Sequence, residues 1–207
     1  VAALSAGNRA MIKMSEFTPN LNKVFKAMIA EVFDENRVCV IEGEADAAIA
    51  FTEQPFDHIL FTGSTAVGRF VMAAAAKNLT PVTLELGGKS PTIVSDNIPM
   101  KDAAERICFG KSMNAGQTCV APDYILVPKA KEEAFIKAYI AAFSKMYPTL
   151  KDNGDYTAIV NDRQYQRLSS WINDAKDKGA KLTEINPANE DLSAGRKLAP
   201  VIVQNMK

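Results

Sequence analysis

Short apolar runs alternate with helix-length amphipathic segments along the whole chain, and that alternation limits the fold more than any single motif. Residues 10–13 (Ala-Met-Ile-Lys) read as a short strand. A helix is predicted to open at Thr18-Pro19, since proline is favoured at a first helical position, and to run to about residue 34. Its Leu21, Val24, Phe25, Met28, Ile29 and Val32 recur at helical spacing. Further strands are predicted at 38–41, 58–62 running into Gly63, 82–85, 92–94, 124–127 and 181–185. Helices are predicted at 44–51, 67–77, 101–113, 131–146 and 162–178, with a surface loop at 151–155. Strands separated by helix-length crossovers make an α/β protein with a largely parallel sheet. Continuous apolar strands suggest burial on both faces. A soft boundary falls near Gly87-Gly88, where the first alternating series ends.

The chain of 207 residues has room for one large domain or two small ones. It carries 24 basic and 24 acidic residues with no basic block, which argues against nucleic acid or an anionic membrane surface as partner. No apolar run is long enough to span a bilayer, and residues 1–7 do not have the form of a signal peptide. Three cysteines, Cys39, Cys108 and Cys119, form no disulfide framework and no CxxC pair, which fits a reduced, cytoplasmic compartment. The one histidine, His58, cannot build a histidine-based metal site and reads as structural. No metal is expected. Both ends read as cut: the chain opens on Val1 inside what reads as a strand-forming segment, and it stops just after the apolar run 200–203.

Four segments carry chemistry. Gly63-Ser64-Thr65-Ala66-Val67-Gly68 follows a strand and opens a helix, a context in which backbone N–H groups can meet a phosphate. It is neither GxGxxG nor a Walker A loop, and on spacing alone it reads as a plain strand-to-helix turn. Lys13 and Glu16 follow a strand end and could bracket a ribose or a 2′-phosphate; equally, Glu16 is an exposed residue near a helix start. Glu85 ends a strand just ahead of Gly87-Gly88. It reads either as a solvated carboxylate or as a general base whose partial burial would move it towards neutrality. Cys119 lies in a turn among Asn114, Gly116 and Gln117, whereas Cys39 and Cys108 lie on apolar stretches and read as inert. A thiolate at Cys119 could be favoured by nearby backbone N–H groups, and its own N–H could face an oxyanion.

These segments resemble the aldehyde dehydrogenase superfamily. The Lys13 segment, the glycine turn, Leu84-Glu85-Leu86-Gly87-Gly88-Lys89-Ser90-Pro91 and Gly116-Gln117-Thr118-Cys119 occur in the family's order and near its spacings. The run Asn114 to Tyr124 is most similar to the class 3-like branch, which includes fatty-aldehyde and coniferyl-aldehyde dehydrogenases; Ser15-Glu16-Phe17-Thr18-Pro19 leans to the coniferyl type. The resemblance implies a Rossmann-like, mostly parallel sheet with helices on both faces. Residues 1–87 would be the C-terminal half of a dinucleotide-binding domain, and residues 88–207 the N-terminal half of the catalytic domain. It implies NAD as cofactor, with NADP possible: Glu16 disfavours a 2′-phosphate by charge while Lys13 attracts one. It places Lys13, Glu16, Gly63, Ser64, Gly68 and Leu86 on the cofactor, with Cys119 as nucleophile and Glu85 as base.

The implied reaction oxidises an aldehyde to a carboxylic acid. Cys119 adds to the carbonyl to give a thiohemiacetal, hydride passes to the nicotinamide, and water activated by Glu85 hydrolyses the thioester. The partner is a small aldehyde, and the parent protein a homodimer or homotetramer. Two family features, the oxyanion asparagine and the Glu-Glu-Ile-Phe-Gly-Pro segment, are absent from these 207 residues. The chain therefore reads as an internal fragment, expected to turn over poorly alone and to expose a strand edge open to pairing. The competing readings are a truncated, non-catalytic nucleotide-binding or interaction module and a thioester-forming acyltransferase. The second has no need of the lysine segment or the glycine turn.

Overall fold

A computed structural model describes residues 1–205 of the chain, which divide into two compact units at Leu86/Gly87. Unit 1 opens with a short helix α1 (Ala2–Ser5), where the sequence suggested a strand. The local backbone explains the difference: Ser5, Ala6 and Asn8 donate back to Val1, Ala2 and Ala3, so the alanine-rich start satisfies its own amides without a partner strand. Two βαβ units follow. β1 (Ala10–Lys13) and β2 (Val38–Ile41) pair in parallel around α2 (Pro19–Val32). After α3 (Ala45–Thr52), β3 (Ile59–Gly63) and β4 (Val82–Leu86) pair in parallel around α4 (Thr65–Ala76).

The β3–β4 pair alternates instead of being buried on both faces. Ile59, Phe61 and Gly63 face inward with Val82, Leu84 and Leu86, while Leu60, Thr62, Thr83 and Glu85 are exposed. The inner face packs with α4, and a small core of Ile59, Val71 and Ala75 forms there against Phe56, Phe61, Val82 and Leu84. His58 has the structural part expected of it: its Nε2 lies 2.9 Å from the Thr83 hydroxyl and ties the start of β3 to β4.

Unit 2 begins with a third parallel pair, β5 (Ser90–Ile93) and β6 (Pro122–Leu126), around α5 (Met100–Ser112). A short 3-10 turn (Met113–Gly116) ends α5. α6 (Glu132–Met146) packs against α5, and α7 (Asp162–Asp177) follows. β7 (Lys181–Glu184) and β8 (Val201–Gln204) then pair antiparallel. No helix separates these last two strands, and only a parallel return needs such a crossover. The larger core lies here. Cys108, Phe135, Tyr139, Phe143, Leu150 and Tyr156 are buried between α5, α6 and the loop that follows. Phe143 and Tyr156 meet edge to face at 5.9 Å.

Candidate active site

Each unit presents one group of candidate residues. In unit 1 they gather at the carboxyl ends of strands, where open α/β sheets bind ligands. Lys13 is the last residue of β1. Its side chain is only 10% exposed, and its Nζ lies 3.5 Å from Glu16, whose side chain is 40% exposed. The pair is therefore a cation held low against the sheet and a more open carboxylate. That fits hydrogen bonding to a polyol such as a ribose better than binding a second negative charge.

The turn after β3 is built around Ser64, the N-cap of α4. Its Oγ accepts from the Val67 N–H at 3.2 Å, and its carbonyl accepts from the Gly68 N–H at 2.9 Å. The Thr65 and Ala66 N–H groups have no acceptor within the helix, as at any helix start. The cap also explains why α4 begins two residues before the predicted Val67. Gly68 is buried one turn in. A Cβ there would lie 2.9 Å from Leu86 Cδ2 and 3.8 Å from Leu84 Cδ1, so the missing side chain lets α4 lie close on β4. Gly63, Ser64, Gly68 and Leu86 thus form one packed corner with open amides at the start of α4.

Glu85 pairs in register with Thr62, on the exposed face of β4. The partial burial considered for it from sequence does not occur in this chain, because that face carries only Leu60, Thr62, Thr83 and solvent. Glu85 belongs to unit 1 and Cys119 to unit 2.

In unit 2 the candidate residues precede their strands instead of following them. Gly88 lies ahead of β5 and Cys119 ahead of β6, at the amino ends of a parallel pair. A Cβ on Gly88 would sit 2.5 Å from the Cys119 carbonyl oxygen, so the glycine lets the two segments touch. Lys89 and Lys111 both reach Asp123, at 3.3 and 3.5 Å, and brace the same corner.

Cys119 is exposed in a turn closed by the Ala121 N–H donating to the Thr118 carbonyl at 3.1 Å. The three cysteines differ in environment. Cys108 is fully buried, and burial raises its thiol pKa. Cys39 departs from the inert, buried residue expected from sequence: it is half-buried, with its Sγ 3.7 Å from Glu35 Oε1. The reason is the alternation of β2, which buries Val38 and Val40 and turns Cys39 outward. Desolvation and the Glu35 charge both raise the Cys39 pKa. Cys119 is the exposed thiol of the three.

Sequence reasoning missed how strongly the backbone before Cys119 is bent. Asn114, Ala115 and Gly116 have φ of 52°, 51° and 78°, three successive residues in the left-handed region. Glycine adopts it freely and asparagine readily, but alanine pays about 1–2 kcal/mol. Only the Asn-x-Gly pattern could have signalled this in sequence. Among the described residues no group of three His, Cys, Asp or Glu side chains gathers to hold a metal ion, and no helix is long and apolar enough to cross a membrane.

The model of the aldehyde dehydrogenase family matches residues 1–207. A probable coniferyl aldehyde dehydrogenase of Pseudomonas aeruginosa is 60% identical over 183 residues, which are 88% of this chain and 38% of the relative. The solved Staphylococcus aureus AldH in its substrate-bound state is 42% identical with a TM-score of 0.88, over 99% of this chain and 44% of that one. A Mycobacterium tuberculosis aldehyde dehydrogenase complexed with NAD+ is 30% identical with a TM-score of 0.86, covering 99% and 43%. The chain therefore spans about two fifths of the length of these relatives. Matched along its entire length and carrying the packed glycine corner and the exposed cysteine turn, the chain belongs to the aldehyde dehydrogenase family.

Proposed function

We propose that the protein to which this chain belongs oxidises an aldehyde to a carboxylic acid through a covalent intermediate on Cys119. The observation that carries this reading is the contrast among the thiols: one exposed cysteine just after a left-handed backbone run, against one fully buried and one half-buried beside a carboxylate. A thiolate adds to the aldehyde carbon, and the carbonyl oxygen takes the negative charge of the thiohemiacetal. Backbone N–H groups of the turn, that of Cys119 among them, are the donors that stabilise this oxyanion. A nicotinamide dinucleotide, when bound, supplies the acceptor for the hydride that leaves the same carbon. Lys13 and Glu16 would hold its ribose, and Gly63, Ser64, Gly68 and Leu86 would form the corner that meets its phosphates.

The thioester that remains on Cys119 is hydrolysed by water. Glu85 removes the proton from that water, the hydroxide adds to the acyl carbon, and the thiolate leaves to restore the starting state. The relative named for coniferyl aldehyde favours an aromatic, conjugated aldehyde as substrate. The relative bound to NAD+ favours NAD, and the open carboxylate of Glu16 beside Lys13 weighs the same way against a 2′-phosphate.

The two steps that belong to the protein alone can be tested without cofactor, using p-nitrophenyl acetate as the acyl donor. The chain is expected to release a burst of p-nitrophenolate and then a slower steady flow. Cys119→Ala abolishes the burst. Glu85→Gln keeps it but slows the steady flow by about a hundredfold, the low end for loss of a general base. A burst that survives Cys119→Ala would falsify the nucleophile, and a steady flow unchanged in Glu85→Gln removes the base.

A further inference from the structure

The geometry points to Gln117 as the residue that positions the Cys119 thiol, by clamping the cysteine turn to a segment some forty residues away along the chain; this rests on the proposal that Cys119 is the nucleophile. The side-chain amide of Gln117 uses both of its ends. Its Nε2 donates to the Asn114 carbonyl and to the Ala158 carbonyl, each at 3.1 Å. Its Oε1 accepts from the Val160 N–H at 2.9 Å. The main chain of Gln117 adds two more bonds to the same turn: its N–H donates to the Asn114 carbonyl at 3.0 Å, and its carbonyl accepts from Asn114 Nδ2 at 3.3 Å. Gln117 and Asn114 thereby close a small ring around the left-handed run Asn114-Ala115-Gly116.

The anchor is firm. Ile159, between the two residues that Gln117 grips, is 3% exposed, and its N–H donates to the Arg196 carbonyl at 2.9 Å. Nearby, the Tyr156 hydroxyl donates to the Leu198 carbonyl at 2.7 Å. The turn is therefore tied through Gln117 to a segment that is itself held at Ile159 and Tyr156. On its other side the Cys119 carbonyl meets Gly88. A strained backbone persists only where its surroundings over-determine it. Here Gln117, two residues before the thiol, and Asn114 supply that over-determination, and only the Gln117 side chain reaches beyond the turn.

A merely structural glutamine would loosen the whole unit when removed; a positioning glutamine loosens the turn and changes the chemistry of Cys119 selectively. Gln117→Met keeps the length and the apolar stem and deletes all three side-chain bonds. Gln117→Glu keeps the acceptor for Val160 but sets an oxygen against the carbonyls of Asn114 and Ala158. Both are made in the full 207-residue chain and read in two ways. The first is amide hydrogen exchange by peptide. In Gln117→Met, residues 114–121 are expected to exchange at least about fivefold faster, as loss of one net hydrogen bond implies, with α5 and α6 unchanged. The second is the p-nitrophenyl acetate reaction, in which the burst rate is expected to fall by a similar factor while the steady deacylation rate holds.

Unchanged exchange over 114–121, or an unchanged burst in a variant of a chain that shows one, overturns the clamp. Should Gln117→Met also loosen α5 and α6, Gln117→Glu is scored by the same two readings; loosening of both helices in both variants makes Gln117 a residue of the general fold and overturns the proposal as well. A wild-type chain with no burst removes Cys119 as nucleophile. The clamp is then decided by the exchange reading alone, so the two failures are told apart.

Discussion

Two glycines of the candidate site are both crowded, yet what crowds them differs, and substitution should separate them. At Gly88 an added Cβ meets a backbone oxygen, that of Cys119, at 2.5 Å. A backbone carbonyl cannot step aside without moving the turn that carries it. Gly88→Ala is expected to cost roughly 1–3 kcal/mol, the usual penalty of overpacking, and to slow acylation at Cys119. At Gly68 the Cβ meets Leu86 Cδ2 at 2.9 Å, the free end of a flexible side chain. Leu86 can rotate, and alanine in a helix gains up to about 1 kcal/mol over glycine, so Gly68→Ala should change stability by less than about 1 kcal/mol. Urea unfolding followed by circular dichroism reads both, and equal costs would sink the distinction. Sequence showed that glycines stand at both places. It could not show what each one touches, because the contacts come from Cys119 and Leu86, residues 31 and 18 positions further on. Gln117 is the same case: it stood in view as a polar neighbour of the cysteine, and its role appears only once residues 158–160 are folded beside it.

At the scale of elements, the strands and helices were legible wherever local chemistry decides them. Proline at the first position of α2 and the apolar spacing of α5 and α6 lie where the sequence put them. Boundaries moved where a side chain intervened. Ser64 starts α4 earlier than its apolar spacing suggests, whereas the start of α2 stayed in place although Thr18 turns its hydroxyl to Asn22 at 3.0 Å instead of capping it. The antiparallel β7–β8 pair was not legible as such, since nothing local in either strand fixes its direction. Two capped helices then invite a comparison. Ser64 caps α4, which buries Gly68, Val71 and Ala75; Asn161 caps α7, whose Gln164 N–H it accepts at 2.9 Å and which buries no residue. Removing either cap should cost about 1 kcal/mol. In Ser64→Ala packing holds the helix together, so the cost appears as a lower midpoint for unit 1 without fraying. In Asn161→Ala no fully buried side chain anchors α7, so the amides of its first turn should exchange several-fold faster while α5 is unchanged. Like exchange changes at the two helix starts would show that burial does not govern how a lost cap is felt.

The two units differ most in what fills them. Unit 1 closes over three buried apolar side chains in its core cluster, and its α2 and α4 leave Val32, Phe70 and other large apolar residues exposed. The core cluster of unit 2 holds twelve, among them two tyrosines. All five tyrosines and the single tryptophan of the chain lie in unit 2, so ultraviolet absorbance and fluorescence report on that unit alone. Burial raises the pKa of Tyr139 and of Tyr156 well above the ordinary phenol value, with the neighbouring Cys108 and Tyr147 adding to it. A group whose proton is held more tightly in the folded state stabilises the fold fully below its unfolded pKa and loses that contribution as pH rises above it. For a phenol that value is about 10. The two phenols are thus expected to keep their contribution to unit 2 up to about pH 10 and then to lose roughly 1.4 kcal/mol each per pH unit. Cys108, raised by burial in the same core, begins the loss somewhat earlier. Urea midpoints from Trp171 fluorescence between pH 8 and 11.5 measure the slope, and Tyr156→Phe should make it shallower. In that variant the Leu198 carbonyl also loses the hydroxyl it accepts from at 2.7 Å, so the stability at pH 8 falls by about 1 kcal/mol even as the alkaline slope eases. A midpoint that does not move between pH 9.5 and 11.5 would mean that the phenols open to water before they ionise, and that this core is looser than its packing implies.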